Sequence, residues 1–174
     1  MSIVKSKIIA TKRSPEIGLF PEGFIEIKGR SMIENMTDFS KQIEDWIDKY
    51  ICNPADLTRI DFHLEYLNTN NIKFYISLLK KIETVKIKNK KLVINWYYEE
   101  GDEDIIEKGE HISFSLNSKF NFIMLSGNMG YASIYERFLY LDLKDGALVN
   151  ERLEETDRSK LDDNIFDLLK FNNI

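Results

Sequence analysis

Apolar residues recur at two different periods in the middle of the chain, and each period predicts one type of element. From 60 to 66, apolar and polar side chains alternate, which is typical of a β-strand. From 71 to 83 the apolar residues follow helical spacing, and 91–98 alternates again. A strand, a helix and a strand in this order predict a βαβ unit with a right-handed crossover and parallel strands.

The segments before this unit predict the start of a mixed sheet. Residues 6–28 hold short apolar runs separated by turn signals, which indicates an antiparallel meander. Residues 37–50 carry an apolar stripe at helical offsets, and either Asn35 or Thr37 is expected to cap this helix.

The segments after the unit predict shorter elements. Residues 104–109 suit a short helix that ends at Gly109, His111 begins a predicted strand, and 120–125 reads as a last core strand. We therefore expect one α/β domain over residues 1–125, with a mixed sheet and helices packed on it.

Residues 126–174 predict a C-terminal extension made of a hairpin and a helix. The hairpin turn is Asp145-Gly146, between two apolar runs, and the helix covers about 161–171. We expect this extension to pack on the same domain.

The junction at 68–71 consists of four small polar residues between the predicted strand and helix. Asn68, Thr69, Asn70 and Asn71 offer side-chain oxygens close to free backbone N–H groups at a helix amino end, where negative charge is favoured. Thr69 on its own is an ordinary helix-cap residue, so composition alone favours a cap over a functional site.

Composition narrows the class of protein. The chain has 174 residues, is 43% hydrophobic and 30% charged, and carries a net charge of −5, which argues against nucleic-acid binding. It contains no apolar run of membrane-spanning length and no signal-peptide core at its start. A single cysteine, Cys52, excludes an intrachain disulfide and favours a cytoplasmic location.

Catalytic and metal-binding motifs are weak. Cys52 has no histidine as a sequence neighbour, and His63 and His111 each lie in a predicted strand, where a structural role is the simpler interpretation. The acidic residues near 102–107 lack the spacing of a calcium loop. We predict no enzyme activity, no metal and no cofactor.

Two charge runs stand next to each other in the sequence. Residues 73–91 contain seven lysines and one glutamate, whereas 99–110 contain seven carboxylates and one lysine. Two solvated faces are the simpler interpretation, and a pair of docking patches for protein partners is the alternative.

Several blocks of the sequence, taken in order, resemble the SiaC-type family of regulatory phosphoproteins. The first block comprises Gly29, Ser31, Glu34 and Asn35. The second comprises Tyr66, Asn68, Thr69 and Lys73, and the later blocks are Trp96-Tyr97-Tyr98, Asp102-Glu103-Asp104 and Gly109-Glu110. The resemblance covers roughly residues 6–125.

The resemblance implies a fold, a mechanism and partners. It implies a STAS-like α/β sandwich in which a protein kinase phosphorylates Thr69 and a PP2C-like phosphatase removes the phosphate. The unphosphorylated form would bind a diguanylate cyclase, which links the switch to cyclic di-GMP and biofilm formation. The supporting residues would be Asn68, Asn70, Asn71 and Lys73, and a possible partner surface would include Ser31, Glu34, Asn35, Asp102, Glu103 and Asp104.

The chain departs from the family pattern at three positions. Ile33 replaces a usual proline, and Asn70 and Asn71 replace usual serines, while the threonine is retained. The competing hypothesis is a constitutive interaction or scaffold module in which Thr69 is only a helix cap.

Overall fold

A computed structural model describes residues 3–125, and its framework is one six-stranded sheet. The spatial order of the strands equals their order in the chain: β1 (Ser6–Ile8), β2 (Glu16–Phe20), β3 (Phe24–Ser31), β4 (Leu57–Leu67), β5 (Lys91–Glu99) and β6 (Asn121–Leu125). The helices are α1 (Met36–Tyr50), α2 (Thr69–Glu83) and α3 (Glu103–Leu116), and a 3₁₀ turn spans Thr84–Lys88.

The sheet is mixed, as the sequence predicts. Strands β1, β2 and β3 pair antiparallel and form the expected meander. Strands β3 to β6 pair parallel, and a helix connects each of them to the next. The predicted α/β class and the parallel strands of the βαβ unit are therefore confirmed.

The core lies between the sheet and its three helices. Because side chains alternate along a strand, Ile60, Phe62 and Leu64 of β4 share one face, and all three belong to the same apolar cluster as residues from every helix. The largest fully buried side chain is Trp96 of β5. The helices consequently pack on one face of the sheet.

Gly109 lies inside α3 rather than at its end, which corrects the prediction of a short helix over 104–109. A Cβ atom added at Gly109 would lie 2.7 Å from two ring atoms of Trp96 and 2.8 Å from Phe122. The glycine therefore lets α3 approach the sheet closely. The helix ends at Leu116, followed by Asn117 in the left-handed conformation with φ of 50°. His111 is accordingly helical, and the strand predicted to begin there is wrong.

The opposite face of β4 carries buried polar side chains. Arg59 forms a two-point ion pair with Asp61 at 2.9 and 2.5 Å, and the Asn95 amide donates to Asp61 at 2.8 Å. Next to this network, the ring of His63 stacks on Tyr97 with 4.0 Å between centroids. Burial of charge is costly without such pairing, so these contacts hold the polar face together.

The predicted hairpin, terminal helix and C-terminal extension over 126–174 lie outside the described residues. No helix within residues 3–125 is long and apolar enough to cross a membrane.

Candidate functional site

The strand–helix junction forms around Asn68, which caps α2. Asn68 has an extended backbone, and its side-chain oxygen accepts a hydrogen bond from the Asn70 N–H at 2.9 Å. Its carbonyl accepts one from the Asn71 N–H at 2.8 Å. The helix thus begins at Thr69, two residues earlier than predicted, and the hypothesis that Thr69 is the cap is wrong. Asparagine is a stronger cap than threonine.

Thr69 is the first residue of α2, and its side chain is exposed. Asn70 is exposed as well, and so is Lys73, four residues further along the helix. Residues four apart lie on the same side of a helix, so the Lys73 ammonium group is on the Thr69 side. The hydroxyl therefore stands at the positive end of a helix, with a cation one turn away.

Asn71 points the other way and is 2% exposed. Its amide group donates to the carbonyl of Ile33 at 2.8 Å, and its oxygen accepts from the Ile33 N–H at 2.8 Å and from the Ser31 hydroxyl at 3.1 Å. The Tyr75 hydroxyl also donates to Ser31 at 2.9 Å. Asn71 and Ser31 therefore fasten loop 32–35, between β3 and α1, to the start of α2.

Ser31 is fully buried, so its side chain does not reach a partner surface. Its carbonyl accepts from the Asn68 N–H at 2.8 Å, which joins β3 directly to the junction. Burial raises the pKa of Tyr75 above its usual value, so its hydroxyl stays protonated and serves as a donor.

A third segment, the turn before β2, reaches the same end of the sheet. The Met32 N–H donates to the Arg13 carbonyl at 2.7 Å, and the Arg13 guanidinium forms an ion pair with Glu34. Both side chains are exposed. The sequence marked this turn by its composition, but nothing in the sequence connected Arg13 with Glu34.

Asn35 occupies the cap position of α1 without accepting a backbone hydrogen bond through its side chain. Its amide instead donates to the Asp38 carboxylate at 2.7 Å. Both Glu34 and Asn35 are exposed, so these two predicted partner-surface residues do lie at the surface beside the junction.

The acidic segment 102–104 begins α3. Asp102 caps the helix by accepting from the Ile105 N–H at 3.1 Å, and Asp104 forms an ion pair with Lys108. Glu103 is exposed. Because α3 follows β5 and α2 follows the parallel strand β4, the two helix starts lie at the same end of the sheet.

Two cations contact the ring of Tyr66 at this end of the sheet. The Lys108 nitrogen is 5.6 Å from the centre of its ring, and the Arg30 guanidinium carbon is 5.8 Å away. A register shift between Gly29 and Arg30 places Arg30 opposite Tyr66, and Gly29 adopts a φ of 96° there, a conformation that favours glycine. Nothing in the sequence indicated that Arg30 and Lys108 would meet at this ring.

Several lysines of the run 73–91 form contacts with other parts of the domain or with neighbouring residues. Lys81 pairs with Asp48 at 2.9 Å, and Lys86 pairs with Glu83 at 2.9 Å. Lys88 donates to two backbone carbonyls. These contacts fit the interpretation of a solvated face better than that of a docking patch.

The remaining chemical candidates stay apart. Cys52 is exposed and donates to the Asp48 carbonyl at 3.2 Å, whereas His63 is buried in the sheet. Within residues 3–125, no group of histidine, cysteine and carboxylate side chains is arranged to hold a metal ion.

The fold and the junction together define a class: a single-sheet α/β domain that presents an exposed threonine where a strand passes into a helix. The particular family follows from comparison, because the model of the SiaC family of regulatory phosphoproteins matches residues 8–125. The chain therefore belongs to the SiaC family.

A curated relative and two solved structures are also similar to this chain. A Pseudomonas aeruginosa protein described as uncharacterized, from strain UCBPP-PA14, is 27% identical over 104 residues, which cover 59% of this chain and 82% of that protein. The crystal structure of SiaC of P. aeruginosa bound to the diguanylate cyclase SiaD matches with a TM-score of 0.61 at 24% identity and covers 70% of this chain and 98% of that one. Apo-SiaC of P. aeruginosa matches with a TM-score of 0.59 at 24% identity, over 71% and 98%.

Proposed function

We propose that this protein is a phosphorylation-switched regulatory protein whose phosphoacceptor is Thr69. The observation that carries the proposal is the division of roles at the junction, where Asn68 caps α2 and leaves the Thr69 side chain exposed. A hydroxyl with this exposure is accessible to a kinase. Membership of a family of regulatory phosphoproteins supports the same assignment.

The physical effect of the phosphate falls on binding rather than on folding. A phosphate adds about −1.5 to −2 charges at neutral pH and three acceptor oxygens. The helix end and Lys73 favour that charge, and an anion at an exposed helix start stabilises a protein by about 0.3–1 kcal/mol. Against an apolar or acidic partner the same charge costs desolvation and repulsion, and a loss of about 1.4 kcal/mol weakens binding tenfold.

The partners we propose are a protein kinase, a PP2C-like phosphatase and a diguanylate cyclase, which would couple the switch to cyclic di-GMP and biofilm formation. Support for the cyclase comes from the relative SiaC, which was solved as the activator in complex with the diguanylate cyclase SiaD. The protein would act by binding, without catalysis of its own, in the cytoplasm, where a kinase has ATP.

The test combines mass spectrometry with matched variants. The full chain is purified from its native cells, and phosphopeptides are mapped in the wild type and in Thr69→Ala and Ser77→Ala variants. Ser77 is an exposed hydroxyl two turns further along α2 and serves as the control. We expect phosphate on Thr69 in the wild type and in Ser77→Ala, and its loss in Thr69→Ala. Undiminished phosphorylation of Thr69→Ala would refute the assignment.

A constitutive interaction module is the second candidate. The exposed pair Arg13–Glu34 and the exposed Asn35 give the junction a polar surface that a partner can bind without any modification. A phosphate-affinity gel of protein from native cells separates the two candidates. A switch gives two bands that phosphatase treatment merges, whereas a scaffold gives one band under every growth condition.

A further inference from the structure

Asn71 makes a two-point contact with the backbone of loop 32–35. Its amide nitrogen and oxygen bond the carbonyl and the N–H of Ile33, each at 2.8 Å, as a neighbouring β-strand would. The side chain is 2% exposed. An unmade hydrogen bond at a buried site is costly, so the positions of Asn71 and of Ile33 are strongly linked.

The same residue belongs to the turn that presents Thr69. The Asn71 N–H donates to the Asn68 carbonyl at 2.8 Å, and the Asn70 N–H donates to the Asn68 side-chain oxygen at 2.9 Å. A change in this first turn therefore moves the backbone to which the Asn71 side chain is attached.

A phosphate on Thr69 would compete with Asn68 for those N–H groups. Charged acceptors form stronger hydrogen bonds than neutral amides, and phosphate oxygens bind readily to the free N–H groups of a helix start. The present cap is a neutral side-chain oxygen on the Asn70 N–H. Replacing it with a phosphate oxygen requires the first turn to adjust.

We propose that Asn71 is a positioning residue that transmits the modification of Thr69 to loop 32–35. The loop carries the exposed side chains of Glu34 and Asn35 and contacts the Arg13 turn. The phosphate would then alter two segments of the partner surface at once, the helix start by its charge and the loop by its conformation. This inference rests on the proposed phosphorylation of Thr69.

The test builds the phosphate in, so that no kinase is needed. Phosphothreonine is incorporated at position 69 of the full chain during translation, and amide hydrogen exchange is measured by NMR with and without the phosphate. In the wild type we expect exchange at the Ile33 amide to change by about tenfold, the factor that corresponds to one buried hydrogen bond.

Two neighbouring asparagines provide the variant and its control. In Asn71→Ser, whose side chain lacks the amide group that bonds Ile33, exchange at Ile33 is expected to be fast and no longer sensitive to the phosphate. In Asn70→Ser, whose side chain is exposed, the wild-type response should persist. If Asn71→Ser fails to fold, Ser31→Ala weakens the same network and should reduce the response.

Two results would overturn the proposal: no phosphate effect at Ile33 in the wild type, or an undiminished effect in Asn71→Ser (in Ser31→Ala, where Asn71→Ser does not fold). A purely structural role for Asn71 predicts the second result. In that case the substitution raises exchange equally with and without the phosphate and leaves the phosphate response intact. Either result concerns the coupling only, because phosphorylation of Thr69 in cells is decided separately by mass spectrometry.

Discussion

His63 should make the stability of the domain depend on pH. The side chain is 4% exposed, and neither ring nitrogen has a hydrogen-bond partner among the described residues. Burial, together with the positive charges of Arg59 and Lys28, lowers the pKa of His63 from 6.5 to about 3. The folded state thus holds this imidazole neutral, and protonation favours the unfolded chain.

The sign and the size of the effect follow from proton linkage. The pKa of His63 is lower in the folded than in the unfolded state, so its contribution to stability is fully present above pH 6.5 and is lost as pH falls towards 3. For each pH unit by which the solution lies below the unfolded pKa, the free energy of unfolding falls by about 1.4 kcal/mol. At pH 5 the loss is about 2 kcal/mol. The unfolded pKa alone sets this value, because the folded pKa lies well below 5.

Urea unfolding followed by tryptophan fluorescence measures this contribution, because Trp46 and Trp96 both lie in the core. The wild type is compared with His63→Phe, which keeps a ring against Tyr97 and removes the titrating group. The difference in unfolding free energy should grow in favour of the variant by about 2 kcal/mol between pH 7.5 and pH 5. Asp61, whose pKa burial raises, is present in both proteins, so its own titration largely cancels.

The chain's other histidine provides the control. His111 is exposed on α3, and a His111→Gln variant should reproduce the wild-type dependence on pH. A difference between His63→Phe and the wild type that stays constant from pH 7.5 to pH 5 would refute the reasoning.

Two further changes test the packing and the cap. Gly109→Ala should lower the free energy of unfolding by about 1–3 kcal/mol through overpacking, because the added Cβ meets Trp96 at 2.7 Å. An unchanged melting temperature would contradict this contact. Asn68→Ala should cost about 1 kcal/mol by loss of the cap, whereas Asn70→Ala at the neighbouring exposed position should cost much less. Equal losses in urea unfolding would show that Asn68 is not the cap.

The parts of the fold that the sequence predicted well depend on periodicity. Alternation in β4 and β5 and the helical spacing in α2 are local signals, so the parallel pair and its connecting helix could be predicted. Gly109 misled the prediction because a glycine that ends a helix and one that allows close packing look alike in sequence. The tight contacts with Trp96 and Phe122, each 13 positions away in the chain, distinguish the two cases.

The polar face of β4 shows a different limit of sequence reasoning. Alternation along β4 puts Arg59, Asp61 and His63 on one face, but it carries no information about their burial. All three are at most 5% exposed. Their partners Asn95 and Tyr97 come from the next strand, so the network depends on a strand register that the sequence does not specify.

At the junction, residues 68–71, local sequence signals and tertiary contacts both determine what each side chain does. The resemblance to a family implies that Thr69 is the phosphorylated residue. The prediction that Thr69 caps the helix is wrong, because both Asn68 and Thr69 are good caps and Asn68 occupies the cap position. Asn70 and Asn71 are identical neighbours, yet one is exposed and the other is buried against Ile33, 38 positions away. That difference arises from tertiary structure alone. Within this junction Asn71 holds the adjoining loop, whereas Asn68 caps the helix and leaves the threonine exposed.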